Sequence, residues 1–274
     1  MYRNINCQNN TSKNGGRSKG PDNAAKEAWK QATPFPIAED IQKLKVAVSR
    51  ACACKTQLEA ALVYASHGIP VFPCEWQVRT KQTKKGTFNT KPKGPLIELG
   101  KGGLYLATID PTQIKSLWTR FPEALIGVPM GRRVGFWALD VDNKDAHGGD
   151  GLDAWKNLEI RFGAASTRSH WTGTNGLHNL YLWDSDHPIG CTLGKLPKGM
   201  ETKGEGGYVI FPPSPYEREG QTVSYRVSND SDPEAGLAVR SYSRQTRTIK
   251  GQRCGYDGRD QGRSHKRFCP HRSI

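Results

Sequence analysis

The sequence predicts a mixed α/β fold, an α+β arrangement of helices flanking mixed or antiparallel sheets. Three observations lead there. Short apolar runs (residues 69–74, 125–131 and 134–142) are separated by amphipathic stretches of helical period. HWTGTNGLHNLYLW, residues 170–183, alternates polar and apolar side chains around a Thr-Asn-Gly turn, as an antiparallel hairpin does. METKGEGGYVIFPPS and TVSYRV then supply further strands with little helical periodicity between them.

Taken in order, residues 1 to about 23 are polar and rich in Asn, Gly, Ser and Lys, a composition that favours a mobile segment. A helical tract follows, interrupted near Pro34 and Pro36, and residues 37–68 read as one or two amphipathic helices ending at Gly68. IPVFPC is a short buried strand, and WQVRTKQTKKGTFNTKPKGP reads as a basic loop ending at Pro95. Asp110 is positioned to cap a helix through Phe121, with Pro111 in its first turn. LIGVPMG and VGFWALDVD are strands, and GLDAWKNLEIRFG is a helix. The expected division is an N-terminal extension over 1–56, a core domain over 57–233 and a basic tail over 234–274. Residues 241–274 carry nine Lys or Arg against two Asp, the pattern of a solvated end or of extra contact with a nucleic acid backbone.

The chain has 274 residues and a formal charge of +14, from 40 Lys and Arg against 26 Asp and Glu. So large an excess favours a polyanionic partner, the bland reading being a very soluble basic protein. Seven cysteines form no disulfide framework. With no signal-like opening and no apolar run of membrane-spanning length, a reducing cytoplasm in a prokaryotic host is the expected location. Two loose His/Cys groupings, His170 with His187 and Cys191, and Cys254 with His265, Cys269 and His271, lack the paired cysteines of a strong zinc motif.

FWALDVDN, residues 136–143, sets Asp140 and Asp142 one residue apart at the end of an apolar run. Alternation puts both on one strand face, where two ionised carboxylates repel unless a cation joins them. A divalent metal is one answer, and a solvent-facing turn is the other. Asp145, His147 and Asp150 follow in a glycine-bearing loop. His178 opens the strand after the Thr-Asn-Gly turn, where an imidazole either makes a structural hydrogen bond or holds a phosphate. Glu201 and Lys203 precede the glycines of GMETKGEGGY, which either form a plain hairpin or bring a third carboxylate and a phosphate contact to the same site. Trp137 shares the parity of Leu139 and Val141 and is assigned to the core, and Trp76, Trp171 and Phe88 read first as core or scattered surface residues, with stacking on nucleic acid bases the alternative.

In combination these segments resemble the N-terminal domain of bifunctional primase-polymerases of plasmid, phage and prophage replication proteins, within the archaeo-eukaryotic primase superfamily. The similarity covers roughly residues 57–228 and runs through AALVYASHGIPVFP, KPKGP, ATID, IGVPMG, the acidic pair, the histidine and the Gly-rich segment ending Pro212-Pro213-Ser214. It departs from the family pattern at Asn175-Gly176, where two glycines are common, at Glu201, where Asp is common, and at Lys203, where Arg is common.

The resemblance implies a template-directed nucleotidyltransferase, a DNA primase or polymerase, working on single-stranded DNA template and primer with nucleoside triphosphates. It implies two divalent ions, Mg²⁺ or Mn²⁺, on Asp140, Asp142 and Glu201, with His178 and Lys203 at the nucleotide phosphates. Lys91 and Lys93 are weaker candidates for the same contact. No G-x-x-x-x-G-K-[ST] loop occurs, so any replicative helicase is expected to be a separate protein. The rival readings are a DNA-binding replication module without synthesis and a metal-dependent nuclease.

Overall fold

The computed structural model describes residues 21–83, 86–89, 92–96, 103–144, 150–163, 166–192 and 196–235. Lys91, Asp145, His147 and the basic tail beyond residue 235, with its Cys/His grouping, lie outside the described residues. Helices and antiparallel sheets are both present, in agreement with the mixed α/β expectation.

Residues 21–66 are largely helical. Helix α1 (Pro21–Gln31) precedes a 3-10 turn at Pro36–Ala38, then α2 (Lys43–Cys52) and α3 (Gln57–Ser66). The periodic stretch 37–68 thus resolves into two helices. Their division follows from a capping box, in which Thr56 Oγ1 accepts from Glu59 N at 3.1 Å and Glu59 Oε2 accepts from Thr56 N at 3.1 Å. Helix α4 (Pro111–Arg120) begins as its sequence predicts, with Asp110 Oδ1 accepting from Thr112 N at 2.7 Å.

Eleven strands are described: β1 (Phe72–Cys74), β2 (Thr80–Thr83), β3 (Gly86–Asn89), β4 (Leu125–Pro129), β5 (Phe136–Val141), β6 (Ser169–Trp171), β7 (Leu177–Leu182), β8 (Met200–Lys203), β9 (Tyr208–Phe211), β10 (Ser214–Arg218) and β11 (Gln221–Val227). They form a three-stranded sheet in the order β1-β4-β9, a six-stranded sheet β10-β11-β6-β7-β5-β8 and the separate pair β2-β3. The segment read as a basic loop therefore contains a short hairpin. Thr80, Thr83, Thr87 and Phe88 are its strand-forming residues, among others of low strand propensity.

The core lies between the two larger sheets and under the helices. Phe136 of the six-stranded sheet stacks on Phe211 of the three-stranded sheet at 6.2 Å, and Tyr64 of α3 meets Phe211 edge-on at 5.5 Å. One apolar cluster runs from Trp29 and Phe35 through α2, α3 and β4 to Tyr225. Helix α5 (Gly151–Phe162) lies against β5 and β8. Trp137 and Tyr181, cross-strand partners with rings 4.8 Å apart, occupy the face of the sheet opposite the acids, as parity predicts for Trp137. No helix of the described residues is long and apolar enough to cross a membrane.

Candidate active site

Register across the six-stranded sheet assembles the site. Asp140 on β5 faces His178 on β7 on one side and Glu201 on β8 on the other. His170 on β6 faces His178 in turn, so His170, His178, Asp140 and Glu201 form a single row across four strands. Cross-strand partners share a face of the sheet, so one side of one sheet collects the three sequence-predicted residues His178, Asp140 and Glu201.

Lys203 is two residues from Glu201 on β8 and so shares that face. Its Nζ lies 2.7 Å from Glu201 Oε2 and 3.6 Å from Asp140 Oδ2. His178 Nε2 stands 3.5 Å from Asp140 Oδ1, beyond good hydrogen-bond length. Burial pushes the His178 imidazole down to about 4, with Lys93 and Lys203 acting the same way and Asp140 opposing them. His178 is therefore neutral at pH 7.

Asp142 follows the last residue of β5 and keeps the sheet pattern by donating its backbone N–H to Gly199 O at 2.7 Å. Glycines surround it. A Cβ on Gly176 would lie 2.5 Å from Val141 O and 3.3 Å from Asp142 Cα, and one on Gly151 would lie 2.2 Å from Gly199 O. The start of α5 and the β6–β7 turn thus close on the Asp142 backbone, an approach only glycine permits. Burial, then repulsion from Asp140, raises the Asp142 carboxyl to about 7, with Lys93 pulling the other way.

Lys93 completes the wall of the site. Its φ of 75° is unusual for a residue with a side chain, and both backbone polar groups are held: Lys93 N donates to Glu75 O at 2.6 Å, and Lys93 O accepts from Tyr208 Oη at 2.9 Å. Its ammonium sits 5.1 Å from the Tyr216 ring centre and 5.7 Å from that of Tyr225, itself 5.5 Å from the His178 ring. Burial alone would lower this ammonium, but the oxygens of Tyr225, Tyr216 and Asp140 hold it above the usual lysine range. It stays charged. The tyrosine cage is absent from the sequence reading. Tyr216 and Tyr225 lie on β10 and β11, and nothing local in SPYER or TVSYRV says that their tyrosines meet Lys93 beside the histidine.

Among the described residues no three His, Cys, Asp or Glu side chains gather as a set that encloses a metal ion. His170 is fully buried against Phe211, ring centres 5.0 Å apart, His187 Nδ1 lies 3.0 Å from Asp184 Oδ2, and among the described residues the two do not gather with Cys191 as a metal-holding group. At the acidic row, Lys203 supplies the positive charge. The donor chemistry nevertheless suits a hard cation, because Mg²⁺ typically takes one or two carboxylates and completes its shell with phosphate oxygens and water.

Neighbouring carboxylates at the end of β5 thus stand beside two lysines and a buried histidine. The chain belongs to the family of bifunctional DNA primase/polymerase N-terminal domains, whose model matches residues 61–238. That membership marks it as a primase/polymerase-type domain of DNA replication. No curated protein matches the sequence.

Proposed function

We propose that this protein is a template-directed nucleotidyltransferase that extends, and on bare template starts, polynucleotide chains on single-stranded DNA during replication of a plasmid, phage or related element. The observation that carries this reading is the row Glu201–Asp140–His178 across β8, β5 and β7, with Asp142 on the same face. Asp140 and Asp142, with Glu201 as third carboxylate, are the ligands for two divalent ions, Mg²⁺ or Mn²⁺, which when bound supply Lewis acidity at the attacking and leaving oxygens.

The chain's own residues account for the rest. Lys93 presents a charge that needs little reorganisation, since its backbone and ammonium are already held, and it faces the triphosphate. Lys203 exchanges its pairing with Glu201 for a phosphate oxygen, leaving Glu201 available as a ligand. Neutral His178 donates a hydrogen bond to a phosphate oxygen and orients it for in-line attack. The basic excess holds template and primer through their backbones, so binding weakens steeply with salt.

The test is a denaturing gel of products from unprimed and primed single-stranded DNA with labelled ribo- or deoxynucleotides and Mg²⁺ or Mn²⁺. Growth on unprimed template establishes a primase-polymerase, and growth from primer alone narrows it to a polymerase. DNA binding without growth overturns the proposal in favour of a binding module. Shortening of labelled DNA replaces it with a nuclease.

A further inference from the structure

We propose that residues 21–38, which precede the matched family region, are a positioning element of the active site and belong to the folded catalytic unit. Two turns border the strands that carry the acids. Gly131–Gly135 leads into β5, with Gly131 N donating to Phe136 O at 2.8 Å. Gly204–Gly207 follows β8. The first turn is held directly by α1 and the segment after it, and the second is tied to them through Arg132 and Tyr105.

Arg132 links the two turns to α1. Its backbone N–H donates to Glu205 Oε2 at 3.0 Å, while its guanidinium donates to Lys30 O at 2.8 Å and Ala32 O at 3.0 Å, at the end of α1. Arg133 lies between two rings, its Cζ 4.2 Å from the Trp29 ring centre and 4.1 Å from that of Phe35. Its Nε donates to Thr33 O at 2.9 Å, and its carbonyl accepts from Phe35 N at 2.7 Å. A partly desolvated guanidinium on aromatic faces is a directional contact, not a generic apolar one.

Two close approaches extend the brace. An added Cβ on Gly135 would lie 2.8 Å from Ala38 Cα, so the two backbones touch there. Tyr105, with its ring 6.0 Å from that of Trp29, places its hydroxyl 3.4 Å from where a Cβ on Gly206 would sit. Trp29, Phe35 and Ile37 also belong to the same apolar core as β4 and β9. Phe136 is four residues from Asp140 and Glu205 four residues from Glu201, so a shift of either turn passes along a short rigid strand to a carboxylate. Displacements of about 1 Å at such groups cost on the order of 100-fold in rate.

The experiment uses the full chain with Arg133→Met, Trp29→Leu and the conservative Arg133→Lys. Hydrogen exchange followed by mass spectrometry reads peptides covering residues 136–142 and 200–203 against those covering β1 and β4. Primer extension reads kcat and KM. Arg133→Met and Trp29→Leu are expected to speed exchange in β5 and β8 by about tenfold while β1 and β4 stay as in wild type, and to lower kcat about tenfold with KM for the nucleotide nearly unchanged. Arg133→Lys recovers most of both. Unchanged exchange in β5 and β8, or a uniform rise across both sheets, overturns the proposal. The exchange pattern does not depend on the nucleotidyltransferase reading: if wild-type protein makes no product, exchange alone decides.

Discussion

Lys203 and Glu201 form an ion pair of 2.7 Å on one face of β8, and the same ammonium reaches to within 3.6 Å of Asp140. One lysine thus neutralises two of the acids that the proposed reaction uses. Lys203→Met is expected to leave that repulsion unrelieved. In melting experiments the metal-free variant should unfold at lower temperature than wild type, and Mg²⁺ should raise its Tm by more than it raises that of wild type, since a ligand stabilises the state that binds it. Equal responses to Mg²⁺ would detach Lys203 from the metal question.

Lys93 separates stability from function. Its φ of 75° favours glycine, and a side chain there costs roughly 1 kcal/mol. Lys93→Gly should therefore be more stable than Lys93→Ala by about 1 kcal/mol in denaturant unfolding, while both raise KM for the triphosphate about tenfold or more. Equal nucleotide affinity in the variants and wild type would reduce Lys93 to a wall residue.

The contribution of His178 to the pH dependence of stability has a defined sign, opposite to that of Asp142, whose raised carboxyl loses stability as pH rises towards 7. Burial lowers His178 from an ordinary 6.5 to about 4, so below pH 6.5 the unfolded chain takes up this proton before the folded chain does. The contribution is complete above pH 6.5, falls as pH drops from 6.5 towards 4, and levels off below that, with a slope of at most about 1.4 kcal/mol per pH unit. His170, also buried and pushed well below its ordinary value, adds in the same direction. Urea unfolding across this range should show a shallower slope for His178→Asn than for wild type.

Gly151 tests the close packing around Asp142. An added Cβ would meet Gly199 O at 2.2 Å and Asp142 O at 2.7 Å. Gly151→Ala should destabilise by about 1–3 kcal/mol, as overpacking against backbone does, and reduce incorporation by more than its loss of folded protein explains. Chemical denaturation alongside active-site titration checks both.

Much of the site is legible in the sequence because strand alternation is a local property. Asp140 and Asp142 share a face by parity, and Trp137 takes the other for the same reason. Asp110 and Pro111 mark a helix start through local capping chemistry. Strand order is not local. Glu201 and Tyr208 bracket a glycine turn that reads as a plain hairpin, yet β8 pairs with β5 while β9 pairs with β4 in the other sheet. For the same reason nothing in KPKGP reveals that the Lys93 ammonium rests on Tyr216 and Tyr225, which arrive more than a hundred residues later. The anchoring of Arg133 between Trp29 and Phe35 is hidden likewise by sequence distance.

The central claim is that Asp140 and Asp142 carry nucleotidyl transfer. Its most direct test is single-turnover incorporation of one labelled deoxynucleotide on a primed template in Mg²⁺, for wild type, Asp140→Asn and Asp142→Asn, with circular dichroism and DNA binding measured on the same samples. The expected result is extension by wild type and a loss of at least about 100-fold in each variant, with fold and DNA binding retained. Extension by both variants at rates close to wild type would contradict it.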